Sequence, residues 1–334
     1  MVTGASAGVG RATAVALAAA GFDVALLARG EAGLAAAAAE VAVGRRPALP
    51  IAVDVASWEE VDAAAARVEH ELGPLDLWVN DAMTTVFSPF RDTDPADFRR
   101  ATEVTYVGQV HGTMAALHRM LPRDRGRVVN VGSSLSYVGI PLQAAYCGAK
   151  FACRGFTESV RAELLADGSQ VTISMVHLPA VDTPQFGWCR STLPKHPRPV
   201  PPVYPPEVAA RRIVATALDG RRSTVLGAWN RLIVAGAKVA PDVLAHYVGR
   251  TGVSAQQTDR LPVGERSDNL YEPADAEADA GASGSFGDQA GGSLEPSFLA
   301  GLPRTLAQLG AAVGAVAGSK MARARRAASA RHRR

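Results

Sequence analysis

Aromatic residues make up 6% of the 334 positions, and there are three cysteines. Cys147, Cys153 and Cys189 form no C-x-x-C pair, and an odd count in a long chain argues against a disulfide framework, so reduced thiols in a cytosol are the simplest reading. No apolar run reaches the ~20 residues that a membrane-spanning helix needs. The longest late run, about 304–318, is interrupted by Arg304 and Gln308. The chain opens on a glycine turn where a secretory signal would have a basic and then an apolar region, so a cytoplasmic protein is expected. A net charge of +3 implies no general attraction to nucleic acid. Histidine and cysteine spacing suits no metal centre, and none is expected.

What is present is an ordinary globular balance, 48% hydrophobic and tilted toward alanine. The length admits one large domain with extensions or two small ones. Apolar runs at 23–28, 49–55, 75–81, 126–134 and 170–179 read as strands buried on both faces. Helix-compatible stretches at 9–20, 30–43, 57–72, 94–120 and 145–167 lie between them, with Ser57 and Asp94 as caps. This alternation predicts an α/β fold, a Rossmann-like doubly wound parallel sheet with helices on both faces. The segment 192–207 holds seven prolines and cannot be a regular helix or a central strand. A helix at 207–219, a short strand at 223–228 and further helix to about 250 follow.

The opening "MVTGASAGVG" places Gly4, Gly8 and Gly10 where a first strand would turn into a helix. Glycines let backbone approach a phosphate, and the helix start presents free N–H groups to it. A plain strand–helix turn is the alternative. At the end of the second strand an acid would bind the ribose hydroxyls of NAD, and an arginine would suit a 2′-phosphate. Ala28 and Arg29 stand there, so NADP(H) is expected over NAD(H), unless Arg29 is an ordinary exposed side chain. Further on, Tyr146 and Lys150 are four residues apart on one helix face, and Ser133 ends a strand thirteen residues before the tyrosine.

Together these residues resemble the short-chain dehydrogenase/reductase family, through its "TGxxxGxG" loop and its Ser with Tyr-x3-Lys. The resemblance covers about 1–250. It implies a sheet of about seven strands, carbonyl–alcohol interconversion, and a homodimer or homotetramer. It assigns Ser133, Tyr146 and Lys150 to catalysis, with Thr105 in the slot of the family's fourth member, usually an asparagine. The cofactor would meet Thr3, Gly4, Ser6, Gly8, Val9, Gly10, Arg29, Asp54, Val55, Asn80, Ala82, Tyr146, Lys150, Pro179 and Thr183. A free tyrosine has a pKa of ~10, and the Lys150 ammonium is expected to lower that of Tyr146, which then exchanges a proton while Ser133 holds the carbonyl oxygen. Met83 and Ala180 replace family glycines, Ala7 stands where a basic NADP marker would, and His70, His111, His118, His177, His196 and His246 match no catalytic slot.

The domain is expected to span 1–264, with 185–207 as a substrate lid offering Phe186, Trp188, Leu193 and Tyr204 to an apolar ketone or alcohol. A rigid surface loop or an oligomer contact is the alternative. Residues 265–334 read as a low-complexity extension. Its first part is acidic (Glu265, Asp268, Glu272, Asp275, Glu277, Asp279, Asp288, Glu295) and expected to be a disordered linker; its last part, from Lys320, is a basic tail. The tail reads as solvated, with weak contact to an anionic membrane surface as the alternative and no specific nucleic-acid role. Two other functions stay open: a cofactor-sensing or scaffold protein without turnover, and a tether acting through the tail. A first strand of Met1, Val2 and Thr3 is short against the usual ~5–6 residues, and translation is expected to begin upstream, the alternative being that Met1 is the start and the fold tolerates a short first strand.

Overall fold

The computed structural model describes residues 1–259, 261 and 268–291. Eleven strands occur among them: β1 Val2–Thr3, β2 Val24–Ala28, β3 Ala48–Ala52, β4 Leu77–Asn80, β5 Val86–Phe87, β6 Arg127–Ser133, β7 Thr172–Leu178, β8 Ala180–Val181, β9 Arg190–Ser191, β10 Val203–Tyr204 and β11 Ser223–Val225. Seven form one sheet in the order β11-β7-β6-β4-β1-β2-β3, every pairing parallel. The order runs outward in opposite directions from β1 and β4, which makes their junction the switch point where a crevice opens at the carboxyl ends. The two residues of β1 pair with Leu26 and Leu27 on one side and Val79 on the other.

The helices are α1 Gly8–Ala19, α2 Glu31–Val43, α3 Trp58–Leu72, α4 Pro95–Thr102, α5 Gly108–Met120, α6 Ala144–Ala166, α7 Gln185–Trp188, α8 Pro206–Asp219, α9 Ala228–Val239 and α10 Pro241–Ala255. Alternate residues of the buried strands feed two cores, as the period of a strand requires. Val24, Leu26, Val129 and Val176 pack with Leu17 of α1, Leu34 of α2 and Ile213 of α8. Ala25, Leu27, Trp78, Val128 and Ile173 pack with Val61 of α3, Met120 of α5 and Leu164 of α6. The Ser57 hydroxyl accepts from the Glu60 N–H at 3.2 Å and Asp94 from the Ala96 N–H at 2.7 Å, so both expected caps are in place. The helix expected over 94–120 is two helices joined by a π-turn, Glu103–Val107.

The acidic extension departs from expectation. Residues 268–291 are no free linker: they form a strap that packs back on the domain. Leu270 is fully buried beside Val86, Ala101 and Ala145, and Phe286 packs with Phe87 and Phe186. Burying two such side chains contributes roughly 1.5–3 kcal/mol each. The acids are matched by cations from far upstream: Arg11 pairs with Asp279, and Arg190 bonds Asp268 at 2.9 Å. A composition count over a window cannot register partners outside it. The domain thus extends past the expected boundary at 264. Glu265, Glu295 and the basic tail from Lys320 lie outside the described residues. Among the described residues no helix is long and apolar enough to cross a membrane.

Candidate active site

A cavity of about 750 Å³ opens along the carboxyl ends of the sheet. It runs from Ala28, Arg29 and Gly30 after β2, past the glycine loop, to Ser133, Tyr146 and Lys150. Its far wall is the α9–α10 hairpin, through Trp229, Ile233, Tyr247, Val248 and Thr251. The 185–207 segment lines it with Gln185, Phe186, Trp188 and residues 198–202. Of the other expected lid contacts, Leu193 is buried in the cluster of Phe87 and Cys189, and the Tyr204 ring packs at Gly227.

The loop after β1 is shaped by glycine. Gly4 and Gly8 have φ of +69° and +58°. A Cβ on Gly4 would lie 2.8 Å from Ala82 Cα, and one on Gly8 would lie 3.3 Å from Thr183 Cγ2. Gly10 is crowded as well, since its Cβ would fall 2.2 Å from the Gly4 carbonyl oxygen. The loop is thus held between the ends of β1, β4 and β8, and it opens on the cavity through Gly4, Ser6, Ala7, Gly8 and Val9. Such a cradle at the start of a helix fits the pyrophosphate of a dinucleotide. Asp54, Val55, Ala82, Pro179 and Thr183 also line the cavity.

Ser133 and Tyr146 both line the cavity, and the Ser133 hydroxyl lies close enough to act on the Tyr146 hydroxyl, lowering its pKa. Ser133 is set by the end of β6, where its Oγ also accepts from the Leu135 N–H at 3.1 Å. Behind it, His177 of β7 contacts the Ser133 carbonyl through Nδ1 at 3.2 Å and the Tyr137 hydroxyl through Nε2 at 3.3 Å. Burial pushes His177 down to about 4, so the ring is neutral and acts as a support. Lys150, fully enclosed, donates to the Val131 carbonyl at 2.8 Å, and its Nζ lies 5.7 Å from the centre of the Tyr146 ring. Desolvation lowers the Lys150 pKa and raises that of Tyr146 above its ordinary range. The expected lowering of Tyr146 by the ammonium is therefore overturned: desolvation raises the hydroxyl, and the lowering influence on it comes from Ser133.

Three expected site residues turn their side chains elsewhere. The Thr3 hydroxyl accepts from the Asp81 and Ala82 N–H groups at 3.0 and 3.1 Å and ties β1 to the end of β4. Asn80 lies inside the fold, accepting from Trp78 Nε1 at 2.7 Å and donating to Asn130 at 2.8 Å. The Thr105 hydroxyl donates to the Thr84 carbonyl at 2.7 Å and accepts from the Thr84 N–H at 3.0 Å.

Sequence reasoning missed two groups. Asp81, partly exposed at the cavity floor, faces Gly10 at the start of α1, and desolvation pushes its carboxyl up to about 6 against the pull of Lys150. The strap is the other. The Arg29 guanidinium donates to the carbonyls of Asn269, Leu270 and Tyr271. The Gly8 N–H donates to the Gly281 carbonyl at 3.2 Å. No side-chain pattern signals contacts made to backbone carbonyls.

Residues 1–192 match the family model for short chain dehydrogenases. An uncharacterized oxidoreductase of Bacillus subtilis, YxnA, is 30% identical over 274 residues, 81% of this chain and 77% of that one. A 3-dehydrosphinganine reductase of Danio rerio is 32% identical over 68% of this chain and 70% of its own. Among solved structures, a short-chain dehydrogenase from Streptomyces avermitilis aligns with a TM-score of 0.62 at 29% identity, covering 76% of this chain and 97% of that one. An alcohol dehydrogenase from Thermococcus sibiricus, complexed with 5-hydroxy-NADP, aligns at 0.58 and 25% identity, covering 67% of this chain and 93% of that one. The chain belongs to the short-chain dehydrogenase family and is an oxidoreductase acting on CH–OH groups.

Proposed function

We propose that the protein interconverts an apolar ketone and its secondary alcohol, with NADP(H) preferred over NAD(H). The observation that carries this reading is the convergence of Ser133, Tyr146 and Lys150 on one cavity wall, with Lys150 enclosed and bonded to the Val131 carbonyl. The glycine cradle and the 750 Å³ cavity support a dinucleotide. Bound nicotinamide supplies or accepts a hydride. Gly4, Ser6, Gly8 and Val9 hold the pyrophosphate region, Asp54 and Val55 the adenine end, and Ala82, Pro179 and Thr183 the nicotinamide end. Ser133 orients the carbonyl oxygen and shares its developing charge. Tyr146 donates its proton to that oxygen in reduction and takes it back in oxidation. Desolvation keeps the Tyr146 hydroxyl protonated, which suits reduction. Lys150 holds Tyr146 and the ribose side of the site through its charge, and Thr105 fixes the turn at Thr84. The NADP(H) preference rests on Arg29 and on Ala28 where an acid would stand.

The substrate end is walled by Phe186, Trp188, Trp229, Ile233 and Val248, which supports an apolar substrate of some length. The name of the Danio rerio relative, 3-dehydrosphinganine reductase, points the same way. The test is a panel of ketones and alcohols of graded chain length with both cofactors, followed at the nicotinamide absorbance. Turnover that rises with apolar chain length is expected, and no turnover across the panel overturns the reading.

A further inference from the structure

The strap meets the adenosine end of the cavity at a charged side chain. Asp275 lines the cavity with Ser6, Arg29 and Gly30, and it is only 6% exposed. Its backbone carbonyl accepts from the Gly33 N–H at 3.2 Å, and that of Ala276 accepts from the Ala32 N–H at 3.3 Å, in the first turn of α2. Its carboxylate fills the space that side chains at Gly30 and Gly33 would take. A Cβ at Gly30 would lie 1.9 Å from Oδ1, and one at Gly33 would lie 2.3 Å from Oδ2 and 3.0 Å from Ser6 Cβ. The helix start favours an anion there. Yet Oδ2 is buried without a hydrogen-bond partner. A desolvated carboxylate oxygen that lacks a donor is costly to keep.

We propose that Asp275 selects the cofactor, in opposition to Arg29: its carboxylate accepts from the adenosine ribose hydroxyls of NAD(H) and occupies the space that the 2′-phosphate of NADP(H) needs. Three observations converge on this assignment. The unpaired oxygen calls for a hydroxyl donor, which a ribose has and a 2′-phosphate ester lacks at that position. A phosphate placed between Ser6 and Arg29 would face the carboxylate at close range, like charge against like. The Arg29 donors that would hold that phosphate are turned to the carbonyls of Asn269, Leu270 and Tyr271. NADP(H) therefore binds only when Arg29 releases the strap carbonyls and Asp275 moves aside, whereas NAD(H) binds with Asp275 kept in place. The acid that β2 lacks at Ala28 is thus supplied from the far end of the chain. This inference rests on the reading of the cavity as a nicotinamide dinucleotide site.

The test uses the full chain and titrates NADPH and NADH separately by calorimetry, so that no substrate is needed. Asp275→Asn is expected to raise the NADPH-to-NADH affinity ratio about tenfold or more, mainly through tighter NADPH. Asp275→Ser, which keeps a polar group without charge, is expected to move the ratio in the same direction. Limited proteolysis supplies a second readout: NADPH should speed cleavage within 268–281 and NADH should slow it. Binding of both nucleotides with the ratio unchanged in both variants overturns the role of Asp275 and leaves the enzyme reading standing. Binding of neither nucleotide by any of the three proteins overturns both.

Discussion

Asp81 Oδ2 lies 3.1 Å from where a Cβ on Gly10 would stand, which sets the carboxylate at the end of β4 against the start of α1 beneath the cavity. An ionised Asp81 would face the same helix start as an incoming pyrophosphate, and the two anions would compete for it. Desolvation raises the Asp81 carboxyl to about 6. Its folded pKa lies above the ordinary ~3.9 of an aspartate, so the native state holds the extra proton. The stabilisation is full below the unfolded value and is lost as pH rises through about 6. Asp81→Asn is expected to abolish this slope in melting temperature between about pH 4 and 6. It should also flatten the weakening of NADPH binding expected of the native chain as pH rises through that window. A binding curve that stays equally steep in the variant would exclude Asp81 as its source.

His177 has the opposite sign. Its folded pKa, about 4, lies below the ordinary imidazole value of about 6.5, so the unfolded chain takes up a proton that the native ring refuses. Its contribution is full above about 6.5 and is lost as pH falls toward about 4. His177→Gln should remove that acid-side loss, seen as a shallower fall in melting temperature over the interval. With Asp81 titrating the other way, each single variant should expose the slope of the other residue. Parallel pH profiles for the native chain and both variants would refute the pair of assignments.

On the proposed mechanism Tyr146→Phe removes the proton carrier and leaves the glycine loop intact. Turnover is expected to fall about 10²–10⁴-fold, while the dissociation constant for NADPH changes little. In the native enzyme, oxidation should climb with pH and reduction should hold level through neutrality, because the Tyr146 hydroxyl keeps its proton above the usual tyrosine range. Undiminished turnover in the phenylalanine variant would remove Tyr146 from the mechanism.

Arg29→Ala tests the other side of cofactor choice. NADPH affinity is expected to drop about tenfold and NADH affinity to stay level. The strap also loses its anchor on the guanidinium, so cleavage within 268–281 should quicken without ligand. An unchanged NADPH affinity would show that Arg29 does not reach the 2′-phosphate.

The parallel sheet was legible because β2, β4 and β6 are largely apolar runs covered on both faces, and because α3 and α4 start at the side-chain caps Ser57 and Asp94. Ser133, Tyr146 and Lys150 were legible because their spacing survives in one dimension. Asn80 and Thr105 were harder. Motif position places them at the site, but it does not say which way a side chain turns, and both turn into the protein to satisfy buried polar groups. The strap escaped altogether. Its stretch has no helical or alternating period, and its acids suggest solvent until Arg11, Arg29, Arg100 and Arg190 are brought up to it by the fold. Arg100 shows how indirect this is: it donates to the Leu270 carbonyl at 3.1 Å while also pairing with Asp54.

Arg11 and Asp279 are 268 residues apart in sequence, yet they form one ion pair over the start of α1. On the ribosome Arg11 is made long before Asp279. The sheet and every helix through α10 emerge before the strap does, and at about 5–20 residues per second the interval between α10 and Asp279 lasts on the order of seconds. During that interval the nascent domain presents its cavity without Asn269, Pro273, Ala274 and Asp275, which line it in the finished fold. A cofactor present in the cell can settle into it first, and the strap then closes over an occupied site. The order of synthesis thus makes the first loading of the enzyme a different event from every later exchange.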